Sequence, residues 1–187
     1  MRTFIAIELP EEIKAEIAAL QNDLRRARAE VSWTKPENIH LTLKFLGEVE
    51  EQLLAQVERA CVEAAQTAAP FSLSLSGTGA FPGAKQPRVL WVGLTGGIEE
   101  ARRLQSQLDE RLSSIGFEKE ERPFRPHLTI GRVKSPKGIP GLISRAEAYR
   151  LPALTFIARE LVVIRSQLHP AGARYTPLVR APLSVGS

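Results

Sequence analysis

Two copies of one short pattern, His-apolar-Thr-apolar, constrain this chain more than any other feature of its sequence. The copies begin at His40 and His127, and the chain has only three histidines. Each copy lies where apolar and polar residues alternate, which is typical of a half-buried β-strand. Side chains two positions apart in a strand share a face, so His40 is expected beside Thr42 and His127 beside Thr129. Two such strands are suited to line opposite walls of one cleft.

The order of the predicted elements repeats along with this pattern. Each half of the chain is predicted to contain a strand, a helix and then a histidine strand, which indicates a diverged duplication of architecture. The sequence therefore predicts an α+β fold of two pseudo-symmetric lobes, with helices outside antiparallel-rich sheets and an active-site cleft between the lobes. The pairing of the strands stays open at this point.

Alternation and helical spacing predict the individual elements. Strands are expected at 3–9, 39–46, 71–76, 89–94, 127–133, 154–158 and 161–165, with an edge strand at 174–180 because Pro177 does not suit a central one. Helices are expected after Pro10 and at 50–68, 98–115 and 141–149. Gly47 is expected to end the first histidine strand, and a loop is expected from Gly77 to Pro87.

The composition is that of an ordinary globular protein. Of 187 residues, 43% are hydrophobic and 25% are charged, and the net charge of +4 is compatible with a polyanionic partner. No apolar run is long enough for a signal peptide or a membrane span, so we expect a soluble, cytoplasmic protein with no membrane contact. The single cysteine, Cys61, excludes an internal disulfide and is expected to be a small core residue on a helix.

Paired imidazoles are suited to cleavage at phosphorus. An unperturbed imidazole has a pKa of about 6.5, so at neutral pH one ring can accept a proton from water while another donates one to the leaving oxygen. The hydroxyls of Thr42 and Thr129 are then placed to hydrogen-bond the phosphate oxygens. Three dispersed histidines and one cysteine make a poor set of metal ligands, so no metal and no other cofactor is expected.

Considered singly, each of these histidines could have a structural role instead of a catalytic one, because a single imidazole in an apolar strand is more often part of the packing. The duplication with matching context favours the catalytic interpretation. The third histidine, His169, has no threonine partner and is predicted to be a solvated loop residue.

These features resemble a known family. The paired motifs are similar to those of the 2H phosphoesterase superfamily, and the longer matches resemble its bacterial and archaeal branch, the RNA 2′,3′-cyclic phosphodiesterases formerly called 2′-5′ RNA ligases. The resemblance extends over almost the whole chain, and the stretches that carry it are Arg2–Ile7, Trp33–Gly47, Pro87–Val92, Phe124–Arg132 and Gly172–Tyr175.

The resemblance implies one 2H phosphoesterase domain over residues 1–187, made of two interleaved lobes, which we expect to be monomeric. The implied reaction is metal-independent hydrolysis of RNA 2′,3′-cyclic phosphate ends, such as those of tRNA fragments, to 2′-phosphomonoesters. By this resemblance His40 is the proton donor and His127 the proton acceptor, an assignment that residue chemistry alone leaves open. Thr42 and Thr129 hold the phosphate in either order.

Four further residues are candidate substrate contacts. Lys44 has the same strand parity as His40 and is therefore a candidate for adding positive charge to the cleft, whereas Phe45 has the other parity and is expected in the core. Arg132 has the opposite parity to His127, so it reaches the phosphate only if the strand twists or bulges. Trp33 and Tyr175 are candidates for stacking on a base, although an aromatic residue at either position is more often part of the core or rim packing.

Three other functions remain open. The same two histidines run in reverse would join RNA ends as a 2′-5′ ligase, and the same fold could act on small cyclic nucleotides. A non-catalytic RNA-binding module would use the motifs as a phosphate clamp. Substitution of either histidine distinguishes these hypotheses. A phosphate clamp should lose little affinity for RNA, whereas an acid–base pair should lose orders of magnitude in rate.

Overall fold

Two antiparallel sheets form the framework of this protein in the computed structural model, which describes residues 1–184. The strands are β1 (Arg2–Glu8), β2 (Val31–Trp33), β3 (His40–Glu48), β4 (Phe71–Phe81), β5 (Val89–Gly96), β6 (His127–Val133), β7 (Thr155–Ala158), β8 (Glu160–His169) and β9 (Gly172–Pro182). One sheet has the order β3-β1-β8-β9 and the other β2-β6-β5-β4-β7. Each sheet therefore contains one histidine strand, and the predicted α+β fold is confirmed.

Four α-helices accompany the sheets. They are α1 (Glu11–Arg25), α2 (Leu54–Ala65), α3 (Ile98–Ser113) and α4 (Ile139–Ala148). The first begins directly after Pro10 with two glutamates in its first turn, where the helix dipole favours negative charge, and it buries the apolar stripe that starts at Ile13. None of the helices in the described residues is long and apolar enough to cross a membrane.

The chain passes between the sheets more than once. The short strand β2 belongs to the second sheet, although β1 before it and β3 after it lie in the first. The last two strands return to the first sheet, where β9 is an edge strand, as Pro177 predicts. One cluster of buried apolar side chains includes residues from both sheets and all four helices.

Several predicted boundaries are wrong because strand pairing continues through irregular positions. The fourth strand runs to Phe81, since a shift of register between Leu75 and Thr78 lets it keep pairing with β5 through the expected loop. Gly47 does not end β3 but lies inside it with φ of +67°, which glycine adopts without steric cost. The strand β8 runs to His169, so that residue belongs to the β8–β9 hairpin and not to a loop.

Both histidine strands contain a β-bulge directly after the His-x-Thr pattern. In β3 the pairing with β1 skips Leu43, and in β6 the pairing with β5 skips Ile130. An extra residue reverses the alternation of faces beyond it. The residues five positions after each histidine, Phe45 and Arg132, therefore return to the face on which the histidine lies.

Candidate active site

A cleft of about 550 Å³ brings the two sequence motifs together. His40 and Thr42 line it from the first sheet, and His127 and Thr129 line it from the second. All four side chains are partly exposed, while the residues between them in the strands are buried. The predicted alternation of faces is confirmed for both motifs.

The two imidazoles are held in the same way. Nδ1 of His40 lies 2.9 Å from the carbonyl oxygen of Asn38, and Nδ1 of His127 lies 2.6 Å from that of Arg125. A carbonyl oxygen only accepts, so Nδ1 is the protonated nitrogen in each ring. The Nε2 atom of each neutral ring is therefore available to accept a proton, and that of each charged ring to donate one.

Aromatic side chains flank both rings. The ring of His40 lies 6.1 Å from that of Phe4 and 5.7 Å from that of Tyr175, centroid to centroid. The ring of His127 makes an edge contact of 5.0 Å with Phe81. Packing against aromatic rings restricts the rotation of each imidazole and limits the water around it.

Burial lowers the pKa of His40 below its ordinary value of 6.5. Withdrawal from water is the largest cause, and the positive charge of Lys14 acts in the same direction. The hydrogen bond to the carbonyl oxygen of Asn38 and the charge of Glu8 oppose the shift without cancelling it. The free protein therefore holds His40 mainly in the neutral form at neutral pH.

The predicted roles of Lys44 and Phe45 are exchanged. Lys44 is 7% exposed on the face opposite the cleft, where its Nζ donates to Oδ1 of Asp109 and to the carbonyl oxygen of Glu118, both at 2.5 Å. Phe45 is 72% exposed and lines the cleft. The physical reason is the bulge at Leu43, which reverses the strand parity on which both predictions rested.

Arg132 lines the cleft on the same side as His127 and Thr129. Its position follows from the bulge at Ile130, which is the condition that the sequence left open. Sequence reasoning missed the residue that contacts this bulge, Gln21 of α1. The signal in the sequence was its position, since Gln21 is a polar residue within the apolar stripe of the amphipathic helix α1.

The two aromatic candidates have different positions. Tyr175 lines the cleft and packs against Phe4, with 4.9 Å between ring centroids. Trp33 is not among the residues that line the cleft, a position that favours packing over contact with substrate. It pairs with Gly131 on the face away from the cleft, and the guanidinium of Arg25 lies 5.6 Å from the centre of its ring.

The charges of the cleft favour an anion. Its lining includes Arg2 and Arg132 besides the two histidines, and no carboxylate of the described residues belongs to it. Within residues 1–184, no group of three or more His, Cys, Asp or Glu side chains is arranged to hold a metal ion.

Comparison with known proteins agrees with this geometry. The family model described as LigT like Phosphoesterase matches the chain twice, at residues 7–91 and 92–175. Each match contains one histidine motif, in keeping with the repeated order of elements.

Individual relatives match over nearly the whole chain. A Methanothermobacter thermautotrophicus protein named RNA 2′,3′-cyclic phosphodiesterase is 35% identical over 95% of this chain and 96% of its own length. A Thermotoga maritima protein of the same name is 34% identical over 100% of this chain and 97% of its own. The crystal structure of a Thermus thermophilus protein, TT0787, superposes with a TM-score of 0.83 at 31% identity and covers 100% of both chains.

Proposed function

Because this chain belongs to the LigT-like phosphoesterase family, we propose that it hydrolyses RNA 2′,3′-cyclic phosphate ends to 2′-phosphomonoesters without a metal. The observation that carries the proposal is the pair of imidazoles in one cleft, each with Nδ1 bound to the carbonyl oxygen two residues earlier. The name of the matching relatives supports a cyclic phosphate at an RNA end as the substrate.

The chemical step uses one imidazole on each side of the phosphorus atom. Nε2 of His127 accepts a proton from water as the water oxygen bonds to phosphorus. The bond from phosphorus to O3′ breaks, and Nε2 of His40 donates its proton to O3′. The phosphate stays on O2′, so the product is a 2′-phosphomonoester and each histidine ends in the other's starting protonation state.

The direction of proton transfer follows the family resemblance, and His40 must then be protonated when the bond breaks. Burial disfavours this charge in the empty cleft, because it lowers the pKa of the ring. A bound phosphate anion close to the ring favours the charged form. Binding of substrate is therefore proposed to raise the pKa of His40, so that the ring is protonated before the bond to O3′ breaks.

Negative charge on the phosphate is balanced by neutral and charged donors. The hydroxyls of Thr42 and Thr129 are on the cleft faces of the two strands, one on each side, and the guanidinium of Arg132 is beside the second pair. These groups are proposed to bind the non-bridging oxygens and to stabilise the charge that develops in the transition state.

The exposed ring of Phe45 is proposed to stack on the terminal base. It lines the same cleft and packs on one side against Phe4, with 6.0 Å between the ring centroids. Stacking on an aromatic ring tolerates any base, which suits an enzyme that acts on ends of varied sequence. Phe45 thereby replaces Lys44 and Trp33 as the proposed contact.

The decisive experiment follows a short RNA with a 2′,3′-cyclic phosphate end in excess EDTA. Wild-type protein is compared with His40→Asn, His127→Asn and Arg103→Gln, the last being a control on the exposed face of α3. We expect a 2′-phosphate product from the wild type and the control, and a loss of at least about a hundredfold in kcat from either histidine variant.

Other results would redirect the proposal. Full activity of either histidine variant would exclude the two-histidine mechanism, and loss of activity in EDTA that a divalent ion restores would exclude metal independence. Joined products in the presence of RNA with a 5′-hydroxyl would favour ligation. Tight RNA binding by the wild type without turnover would favour the phosphate clamp.

A further inference from the structure

A second cavity, of about 290 Å³, lies beside the catalytic cleft. It is bordered by Lys35, Glu37 and Asn38, at a short 3₁₀ turn, and by residues 171–175 of the β8–β9 hairpin, with His169 beside them. The two cavities share Asn38, Ala173 and Tyr175. The shared rim means that a bound chain can pass from one cavity into the other over the side chain of Tyr175.

The hairpin is fixed against this turn. Nδ2 of Asn38 donates a hydrogen bond of 2.9 Å to the carbonyl oxygen of Ala173. Gly172 has φ of +116°, and a Cβ atom built on it would lie 3.6 Å from Cε of Lys35. Nζ of Lys35 lies 3.8 Å from the same position, so the end of the lysine side chain lies against the hairpin tip, and Lys35 is one of the residues that line the cavity.

Two cations of this cavity are free of ion pairs within the described part of the chain. Lys35 and Arg174 are both exposed, and neither has a carboxylate oxygen within 4.0 Å. Glu37 is the single carboxylate among the lining residues. A phosphate group would accept hydrogen bonds from the two cations and would be repelled by Glu37.

We propose, on the basis of the proposed function, that this cavity binds the phosphodiester immediately upstream of the terminal nucleotide. Tyr175 lies 5.7 Å from the ring of His40, centroid to centroid, and lines the second cavity together with the cations Lys35 and Arg174. The terminal nucleotide occupies the catalytic cleft, and the next phosphate of a polynucleotide follows over this rim. The subsite selects RNA ends over cyclic mononucleotides, which have no upstream phosphate.

The test compares three substrates that share the same reacting end. These are adenosine 2′,3′-cyclic phosphate, the dinucleotide ApA with a 2′,3′-cyclic phosphate, and that dinucleotide with an uncharged methylphosphonate linkage. The wild type should have the highest kcat/KM on the charged dinucleotide. Lys35→Gln and Arg174→Gln should each lower that value by about tenfold and leave the other two substrates within about twofold.

Two further variants complete the test: one should have the opposite effect, and the other is a control. Glu37→Gln removes the repelling carboxylate, so it should raise kcat/KM on the charged dinucleotide alone. Arg103→Gln removes one exposed positive charge from α3, outside both cavities, and should change none of the three. Equal effects of the Lys35 and Arg174 variants on all three substrates, or no effect on any, would overturn the subsite.

A binding measurement separates failure of the subsite from failure of the proposed function. Calorimetry compares the 2′-phosphorylated dinucleotide ApAp with adenosine 2′-monophosphate, neither of which needs to react. If no substrate is turned over, the proposed function fails. In that case the subsite is supported only if Lys35→Gln and Arg174→Gln lower the affinity for ApAp and leave the affinity for adenosine 2′-monophosphate unchanged. Any other result would overturn it.

Discussion

The side-chain amide of Gln21 donates a hydrogen bond of 2.9 Å to the carbonyl oxygen of Ile130, the bulged residue of the second histidine strand. The same nitrogen donates to the carbonyl oxygen of Thr34 at 2.8 Å, and the backbone amide of Thr34 donates to Ile130 at 3.0 Å. Gln21 is 1% exposed. The helix α1 thus holds the irregularity that turns Arg132 into the cleft.

Gln21→Met should therefore reduce activity through Arg132. The substitution removes one donor from each of the carbonyl groups of Thr34 and Ile130, so we expect kcat on a cyclic phosphate end to fall by about fivefold to tenfold. The same substitution in an Arg132→Ala background should have little further effect, because the group that the bulge positions is already absent. Additive losses in the double variant would assign Gln21 a purely structural role.

Lys44→Met should destabilise the fold although it leaves the cleft lining unchanged. It leaves the Asp109 carboxylate, 9% exposed, without its partner, and removal of one member of a buried pair costs about 3–5 kcal/mol of unfolding free energy. The double variant Lys44→Met/Asp109→Leu should recover much of this loss in urea denaturation. Lys119→Met breaks only an exposed pair with Glu110 and should change little.

His40 should titrate below pH 6.5 in the free protein, because burial lowers its pKa. Nuclear magnetic resonance of the ring follows this directly, and inorganic phosphate should move the titration to higher pH. A His40 titration that phosphate leaves unmoved would contradict the proposed loading of the donor.

The same shift couples His40 to stability. Since the folded pKa lies below the unfolded value of about 6.5, protons bind more tightly to the unfolded chain. The contribution of His40 to the free energy of unfolding is therefore present above about pH 6.5 and is lost as pH falls through the folded pKa. Urea denaturation of His40→Gln should depend less on pH in this window than that of the wild type.

Phe45→Ala should weaken binding of nucleotide ends without loss of stability, because the ring is 72% exposed. Loss of one base–aromatic stack corresponds to about 1–3 kcal/mol, or roughly 5-fold to 160-fold in KM. The cyclic phosphate of methyl riboside, which has no base, should be unaffected. Ile157→Ala, an exposed apolar residue of β7, is the control for removing surface side chains.

Cys61 should be inert in the folded protein. Burial raises the pKa of its thiol to about 12, and the negative charge of Glu58 acts in the same direction. A thiol reagent at pH 8 should find no reactive group in the native protein and one after denaturation. Rapid labelling of the native protein would mean that α2 opens locally.

Local pattern was sufficient for the two motifs themselves. The alternation of side chains in a strand is a property of the backbone, so the shared face of His40 and Thr42, and of His127 and Thr129, followed from spacing alone. The same reasoning predicted both ends of β6 correctly, and Pro177 predicted that β9 lies at the edge of its sheet. It also gave Cys61 its buried position in α2.

The sequence by itself determined which residue types face one cleft, whereas only the tertiary structure decided what accompanies them there. A bulge arises from pairing between strands far apart in the chain, and no local pattern at Leu43 or Ile130 reveals it. Its consequences reach five residues past each histidine, where Phe45 and Arg132 enter the cleft. Lys44 lies on the opposite face for the same reason, since one unpaired residue reverses the faces of the residues that follow it.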